Sequence, residues 1–169
     1  MGRRLKLFIA TSLDGFIARK DGSIDWLFTD ADYGYTDFFS TIDTVLVGRK
    51  TYEQSLAFFE GAPFSGKLCY VFTRKAGGKA AQATFVSGDI AEFTRGLKDE
   101  PGSGIWLVGG SEIVVALRNL IDDFIISVHP IILGSGIPLF TGGWEEETLA
   151  LVKAASFESG LVQLHYRAA

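Results

Sequence analysis

The 169-residue chain has one cysteine and two histidines, and this shortage excludes several kinds of site. The lone Cys69 cannot form an internal disulfide. Together with His129 and His165 it is too small a set for a structural zinc site. We therefore expect no metal, and the composition is typical of a protein from a reducing compartment, the cytoplasm.

Long apolar runs and an excess of basic residues are also missing. The longest apolar candidate, residues 124–133, is interrupted by Ser127, His129 and Pro130, so no segment has the roughly 18 apolar residues of a membrane-spanning helix. Lysine and arginine total 16 against 20 aspartates and glutamates, which gives a net charge of -4. This balance disfavours contact with nucleic acid or anionic lipid, and we expect a soluble protein with neither as a partner.

Short runs rich in Val, Ile and aromatic residues alternate with stretches that can form helices. Such alternation is typical of right-handed crossovers in a mostly parallel sheet. The predicted strands are residues 5–10, 43–48, 67–73, 105–109 and 123–129, and the predicted helices are residues 31–40, 50–58, 89–97 and 111–120.

The C-terminal tail has a different pattern. Residues 162–167 alternate strictly between apolar and polar side chains, and residues 149–157 can pair with them across an intervening turn. We therefore predict one domain over residues 1–169: a three-layer α/β/α fold whose mostly parallel mixed sheet ends in a C-terminal antiparallel hairpin.

Several familiar motifs are incomplete. Residues 61–68 nearly match a phosphate-binding P-loop, but Leu68 replaces the required Ser or Thr and a predicted strand follows. Neither Gly102–Gly104 nor Gly134–Gly136 continues to the third glycine of a Rossmann fingerprint. No G-x-S-x-G motif occurs, and His129 fits a packed core histidine better than a proton donor. A hydrolase is therefore disfavoured.

Three predicted strands end in groups suited to a phosphorylated ligand. Gly48 leads into a helix whose first amides, at residues 49–51, favour a phosphate. Residues 73–75 add a guanidinium that can bind a phosphate with two hydrogen bonds. Gly109–Gly110 lets the backbone lie against a pyrophosphate. Singly, each has an ordinary explanation, because glycines end strands and basic residues solvate loops. Together they predict a dinucleotide site, because the carboxyl ends of parallel strands line one crevice.

These segments, with LFIATSLDGFIA near the start and DDFIISVHPIILGSGIPLF near the end, resemble the dihydrofolate-reductase-like superfamily. The resemblance is closest to the reductase domain of bacterial bifunctional riboflavin-biosynthesis deaminase-reductases, and the H-x-E and P-C-x-x-C motifs of a deaminase do not occur. It covers nearly the whole chain. It implies a dihydrofolate-reductase-like fold and an NADPH-dependent oxidoreductase, of the dihydrofolate reductase or 5-amino-6-(5-phosphoribosylamino)uracil reductase type.

The resemblance also implies how NADPH is held. Main-chain groups of Ala10 and Ile17 would contact the nicotinamide carboxamide, and cationic side chains around Arg74 would select the 2′-phosphate of NADPH over NADH. The implied cofactor-binding residues are Ala10, Ile17, Gly48, Arg49, Lys50, Thr51, Thr73, Arg74, Lys75, Val108, Gly109, Gly110, Ser111, Glu112 and Ile113.

For the chemistry, the resemblance implies hydride transfer to an electron-poor C=N or C=O group of a small substrate. Trp26, Asp32 and Ser127 are the implied substrate residues, and Asp32 is the implied catalytic residue. Two interpretations of Asp32 stay open, since it can assist a proton or cap the following helix. Asp37 is a second candidate for the proton, whereas Asp14 is expected to shape a turn beside the cofactor.

Departures from folate reductases argue against dihydrofolate as the substrate. Lys67 replaces an arginine that binds the glutamate of folate, no proline follows Trp26–Leu27, and Val114 replaces a tyrosine. A riboflavin precursor or another small heterocycle remains as the candidate substrate. A different class of answer is a non-catalytic sensor that binds NADPH or a pterin. The resemblance also implies a homodimer formed through the C-terminal part of the sheet.

Overall fold

The structure, a computed structural model, describes residues 2–75, 79–80 and 82–169. Its strands are β1 (Leu5–Ser12), β2 (Phe16–Ala18), β3 (Ile42–Gly48), β4 (Leu68–Phe72), β5 (Lys79–Ala80), β6 (Ala83–Val86), β7 (Gly104–Gly109), β8 (Asp123–His129), β9 (Ile137–Pro138), β10 (Leu149–Ser156) and β11 (Val162–Ala168). Its α-helices are α1 (Tyr35–Ser40), α2 (Arg49–Phe58), α3 (Ile90–Asp99) and α4 (Ser111–Ala116), the last followed by a 3-10 turn at Arg118–Leu120.

Within the described part of the chain, nine strands form one sheet in the order β10-β11-β8-β1-β7-β3-β4-β6-β5. The six strands from β8 to β6 in this order are parallel, and β11 and β10 add antiparallel strands at one end. This confirms the predicted mixed sheet with a C-terminal hairpin. Strands β2 and β9 form a separate two-stranded sheet that the sequence patterns did not predict.

One face of the sheet packs against α3 and α4. Leu7, Leu107 and Phe124 of the sheet form a buried cluster with Leu97 of α3 and Val114 of α4, and each of these side chains is at most 5% exposed. Trp106 of β7, Phe8 of β1 and Ile125 of β8 pack on the other face, so these strands carry apolar residues on both sides, as expected for a sheet covered by helices on both faces.

The opposite face packs against α1 and α2. Val45 and Trp106 of the sheet contact a cluster that includes Phe38 of α1 and Tyr52 of α2, so the three-layer α/β/α prediction is confirmed. Cys69 lies in this cluster, and burial raises the pKa of its thiol to about 12. The thiol is therefore protonated at neutral pH and chemically unreactive.

Two helix predictions were too long. The first predicted helix, residues 31–40, begins only at Tyr35, because Tyr33 (φ 50°) and Gly34 (φ 77°) adopt the left-handed backbone conformation that interrupts a right-handed helix. The last, residues 111–120, ends at Ala116 and tightens into the 3-10 turn. None of the helices described is long and apolar enough to cross a membrane.

Candidate cofactor and substrate site

The three strand ends singled out in the sequence meet at one edge of the sheet. Strands β7, β3 and β4 are neighbours and parallel, so their carboxyl ends lie together. A Cβ atom added to Gly48 would lie 3.6 Å from the carbonyl oxygen of Gly109 and 3.6 Å from the backbone nitrogen of Gly110. The Arg74 guanidinium reaches Glu112 at 3.2 Å, which joins the third strand end to the other two.

At two of these positions, any residue other than glycine would crowd a neighbouring side chain. A Cβ on Gly48 would stand 3.1 Å from Cγ1 of Ile113, and one on Gly110 would stand 3.3 Å from the hydroxyl oxygen of Thr51. Helix α2 starts at Arg49 with no acidic residue in its first turn and no side-chain cap among the described residues. Its first N–H groups and its dipole therefore favour an anion at this point.

Cationic side chains surround this backbone cradle. Arg49 and Arg74 each contact a single exposed carboxylate, Glu53 at 3.0 Å and Glu112 at 3.2 Å. Such exposed ion pairs contribute little to stability, so a phosphate that accepts two hydrogen bonds from a guanidinium can displace the carboxylate. Lys50, Thr73 and Lys75 complete the predicted group, and both lysines are exposed.

Two neighbouring strands separate beside the cradle, and the space between them is the candidate cleft. Strand β1 pairs with β7 only from Leu5 to Leu7, but it pairs with β8 as far as Ser12. Trp106 fills the point of divergence by donating its indole N–H to the carbonyl oxygen of Phe8 at 3.0 Å. Beyond it, the backbone around Ala10 has no strand partner on the β7 side within the described pairings, so it can bind an amide of a ligand.

The turn after β1 is held by Asp14, which has the turn-forming role predicted for it. Its carboxylate accepts hydrogen bonds from the Ser12 hydroxyl at 2.6 Å and from the backbone N–H groups of Leu133 and Gly134 at 3.1 and 2.8 Å. The Ser12 hydrogen bond is the main reason that the pKa of Asp14 is lowered. Asp14 thereby fixes β2, and with it Ile17, against the loop that follows β8.

Trp26 and His129 form the end of the cleft on the β8 side. The two rings meet edge to face with centroids 5.3 Å apart, and Trp26 is 7% exposed. His129 accepts a hydrogen bond from the Phe28 backbone N–H at 3.2 Å, and its other ring nitrogen lies 3.3 Å from the carbonyl oxygen of Ser127. Burial lowers the pKa of His129, so the ring is neutral and structural, as predicted.

The indole N–H of Trp26 is buried without an acceptor among the described residues. An unpaired buried donor costs about 1–3 kcal/mol, which an acceptor on a bound ligand would recover. Of the three predicted substrate residues, Trp26 is therefore the one with an unused hydrogen-bond donor in the structure.

Ser127 is tied to a network that sequence reasoning missed. Gln163 on β11 donates hydrogen bonds through Nε2 to the Ser127 hydroxyl oxygen and to the Tyr33 carbonyl oxygen, both at 3.1 Å. The Tyr33 hydroxyl also contacts Ser159 at 2.9 Å. The only signal in the sequence was the alternation that put Gln163 on the polar face of its strand.

Asp32 lies at the protein surface, at the start of α1. Its carboxylate accepts hydrogen bonds from the backbone N–H of Thr36 at 3.1 Å and from the Thr36 hydroxyl at 2.6 Å. The hydroxyl contact, followed by the backbone contact, lowers the pKa of Asp32. No hydrogen bond found among the described residues joins Asp32 to Trp26 or Ser127. The N-cap residue of α1 is Gly34, but Asp32 supplies a capping contact to Thr36 in the first turn of the helix. Proton transfer by Asp32 stays a prediction.

Sequence comparison identifies close relatives of similar length. The chain is 45% identical over 172 residues to the uncharacterized protein YwjB of Bacillus subtilis, covering 98% of each chain. It is 38% identical over 177 residues to the uncharacterized protein YyaP of the same organism, covering 97% of this chain and 94% of YyaP. The chain belongs to the YwjB and YyaP family. No family model matches the chain.

Solved structures show that the chain has the dihydrofolate-reductase-like fold that the sequence resemblance implied. A Shewanella sp. PV-4 protein assigned to riboflavin biosynthesis matches with TM-score 0.86 at 27% identity, covering 100% of this chain and 99% of the other. Enterococcus faecalis dihydrofolate reductase, complexed with NADP(H) and RAB-propyl, matches with TM-score 0.74 at 18% identity over 98% and 96% of the two chains.

A third structural match is the bifunctional deaminase and 5-amino-6-(5-phosphoribosylamino)uracil reductase of Thermotoga maritima, with TM-score 0.78 at 17% identity. The match covers 99% of this chain and 57% of the Thermotoga chain. At this level of identity, the likeness establishes the shared fold.

Replacement of Asp32 separates its two interpretations. We expect Asp32→Asn to keep the melting temperature and the rate of hydride transfer near wild type, since asparagine caps helices as well as aspartate does. Loss of a general acid would instead slow turnover by about 10²–10⁴-fold, and that result would establish proton transfer by Asp32.

The Asp32→Ala variant supplies the pH control, with thermal unfolding as the measurement. Because the pKa of Asp32 is lowered in the folded state, its stabilisation is complete above the unfolded pKa of about 3.9 and is lost as the pH falls further. The alanine variant should be less stable than wild type at pH 7. The difference should shrink below about pH 4.

Proposed function

We propose that the protein is an NADPH-dependent reductase that transfers a hydride to a small heterocyclic or carbonyl or imine substrate, of riboflavin-precursor or pterin type. The observation that carries the proposal is the meeting of three glycine-containing or basic strand ends beside the cleft between β1 and β7. The reductases among the structural neighbours support this class of reaction. A lone protonated cysteine is consistent with a cytoplasmic location.

The residues at the cleft fit NADPH. A Cβ atom at Gly48 or Gly110 would crowd Ile113 or Thr51, so both glycines let the backbone of the strand ends come close together, and a pyrophosphate would bind to the amides of this cradle. Arg49 and Arg74, with Lys50 and Lys75 beside them, would bind the 2′-phosphate. The backbone near Ala10, which has no partner on the β7 side among the described pairings, would bind the nicotinamide carboxamide together with the main chain of Ile17.

When bound, NADPH supplies the hydride. The chain would orient the substrate and exclude water from it. Trp26 and Ser127, which are 7% and 6% exposed, would form walls of the space beside Ala10. The Trp26 indole N–H, which has no acceptor among the described residues, would donate a hydrogen bond to a substrate oxygen or nitrogen. The Asp32 carboxylate, ionised and bonded to Thr36, holds the start of α1. We infer that the proton that accompanies the hydride comes from solvent.

The contacts of Lys67 argue for a substrate other than dihydrofolate. Its ammonium group donates a hydrogen bond to the carbonyl oxygen of Ile42 at 2.7 Å and lies 4.4 Å from the centre of the Phe39 ring. Lys67 is therefore engaged within the protein, at the position where folate reductases bind a carboxylate. This supports a substrate without a glutamate tail.

The proposal is tested by calorimetric titration with NADPH and by absorbance assays of NADPH oxidation with pterins, flavin precursors and quinones. We expect binding, followed by oxidation with at least one member of the panel. Binding without any oxidation would favour the alternative, a non-catalytic NADPH- or pterin-binding sensor. An absence of NADPH binding would contradict both.

Charge reversal at Arg74 tests the predicted cofactor preference. We expect Arg74→Glu to weaken NADPH binding by at least about tenfold while NADH binding changes by less than about twofold, because only NADPH carries the 2′-phosphate. Arg95→Glu, on the exposed face of α3, is the matched control and should change neither affinity. Equal losses for both cofactors in Arg74→Glu would contradict the assignment.

We further propose a homodimer formed by pairing of β10 with β10 of a second copy. Strand β10 is the end strand of the sheet, Leu151 and Val152 are 59% and 46% exposed, and Lys153 is its one charged residue. A long apolar edge with so little charge favours pairing with another strand.

In sedimentation experiments we expect twice the mass of the 18.4 kDa chain. Leu151→Lys should give a monomer, whereas Ile132→Lys, on another exposed apolar residue, should not.

A further inference from the structure

A row of charged side chains lies on the sheet at the edge opposite the candidate cofactor site. Lys6, Asp123 and Arg167 are register partners on the neighbouring strands β1, β8 and β11, so their side chains share one face. Arg4 precedes Lys6 by two residues, and His165 precedes Arg167 by two, which puts both on the same face. These residues lie at the amino ends of β1 and β8, whereas Gly48 and Gly109 end β3 and β7.

Asp123 is the anchor of this row. It is 2% exposed and accepts hydrogen bonds from Arg4 Nε at 2.6 Å, His165 Nε2 at 2.8 Å and Arg167 Nε at 3.3 Å. Burial acts to raise the pKa of Asp123, but the hydrogen bonds from Arg4 and His165 outweigh it, and the pKa is lowered. The carboxylate is therefore ionised and holds both guanidinium groups in place.

The two arginines contact Asp123 through Nε and not through the paired terminal nitrogens. One terminal nitrogen of Arg4 makes a 3.3 Å contact with the carbonyl oxygen of Asp122, and the Arg4 and Arg167 side chains are 39% and 47% exposed. Both guanidinium groups are therefore partly exposed, and each lies on one oxygen of the same carboxylate. Two guanidinium groups fixed by one carboxylate, with free outer donors, have the geometry that binds a tetrahedral oxyanion.

Positive charge exceeds negative charge in this row. Two guanidinium groups, those of Arg4 and Arg167, contact a single carboxylate, and the neighbouring Asp122 is already paired with Lys98 at 2.7 Å. The Lys6 ammonium group donates a hydrogen bond to the Thr41 hydroxyl at 2.9 Å, on the side of β1 away from β11, and adds positive charge only from a distance. Repulsion among these cations falls when an anion binds between them. A local cationic excess is notable in a chain of net charge -4.

We propose that Arg4 and Arg167 form a binding site for a phosphate-type oxyanion, with buried Asp123 as its anchor. The ligand is either inorganic phosphate or the phosphate group of a small metabolite, since both present the same oxygens to the guanidinium groups. The site is separate from the candidate cofactor site and does not depend on the proposed reductase function.

The test is an NMR titration of the ¹⁵N-labelled full chain with sodium phosphate, and in parallel with ribose 5-phosphate, at constant ionic strength set with chloride. We expect saturable shifts of the Arg4 and Arg167 Nε–H signals and of the His165 ring. Tighter binding of ribose 5-phosphate would identify a phosphorylated metabolite as the ligand, and equal or weaker binding would identify inorganic phosphate.

Variants locate the binding. Arg4→Gln and Arg167→Gln each remove one guanidinium group, and each should weaken binding at least about tenfold. Arg95→Gln, an exposed arginine on α3, should bind as wild type does. The wild-type titration alone decides whether phosphate binds, so the test does not depend on whether each variant folds. Absence of saturable shifts at this row, or shifts confined to Arg49 and Arg74, would overturn it and leave the cofactor proposal standing.

Discussion

The candidate site depends on one break in strand pairing, the separation of β1 from β7 after Leu7. A continuous parallel ladder would have used the backbone groups around Ala10 for hydrogen bonds between strands. The break leaves them unpaired, and Trp106 closes its base through the bond to Phe8. The same feature supplies a cleft and the main-chain donors and acceptors that line it, at the edge where the carboxyl ends of β3, β4 and β7 meet.

The arrangement of the strand ends could be predicted from sequence because it follows from local rules. A buried strand that ends in Gly48 or Gly109 and runs directly into a helix predicts a turn with exposed amides, and alternation of strands and helices predicts that such turns share an edge. The resemblance to dihydrofolate-reductase-like proteins rested on the same segments, and the structural matches confirm it. Cofactor binding by these residues stays a prediction.

Other features could not be predicted because they depend on contacts between distant segments. The place where β1 leaves β7 is a matter of register between strands about 100 residues apart, and no single segment encodes it. The left-handed conformation of Tyr33 shortened α1, and nothing in residue type marks a tyrosine for that conformation. The partners of Asp123 come from β1 and β11, so its sequence neighbours gave no sign that this carboxylate is an anchor.

Gln163 joins the two ends of the chain at the substrate side of the cleft. The loop that carries Trp26 and Tyr33 belongs to the first fifth of the sequence, yet it is held by a side chain six residues before Ala169, through Ser127 and the Tyr33 carbonyl. The cofactor cradle is built from residues 48–113 alone. Truncation of the chain before Gln163 would therefore leave every cradle residue present while removing a support of the substrate wall.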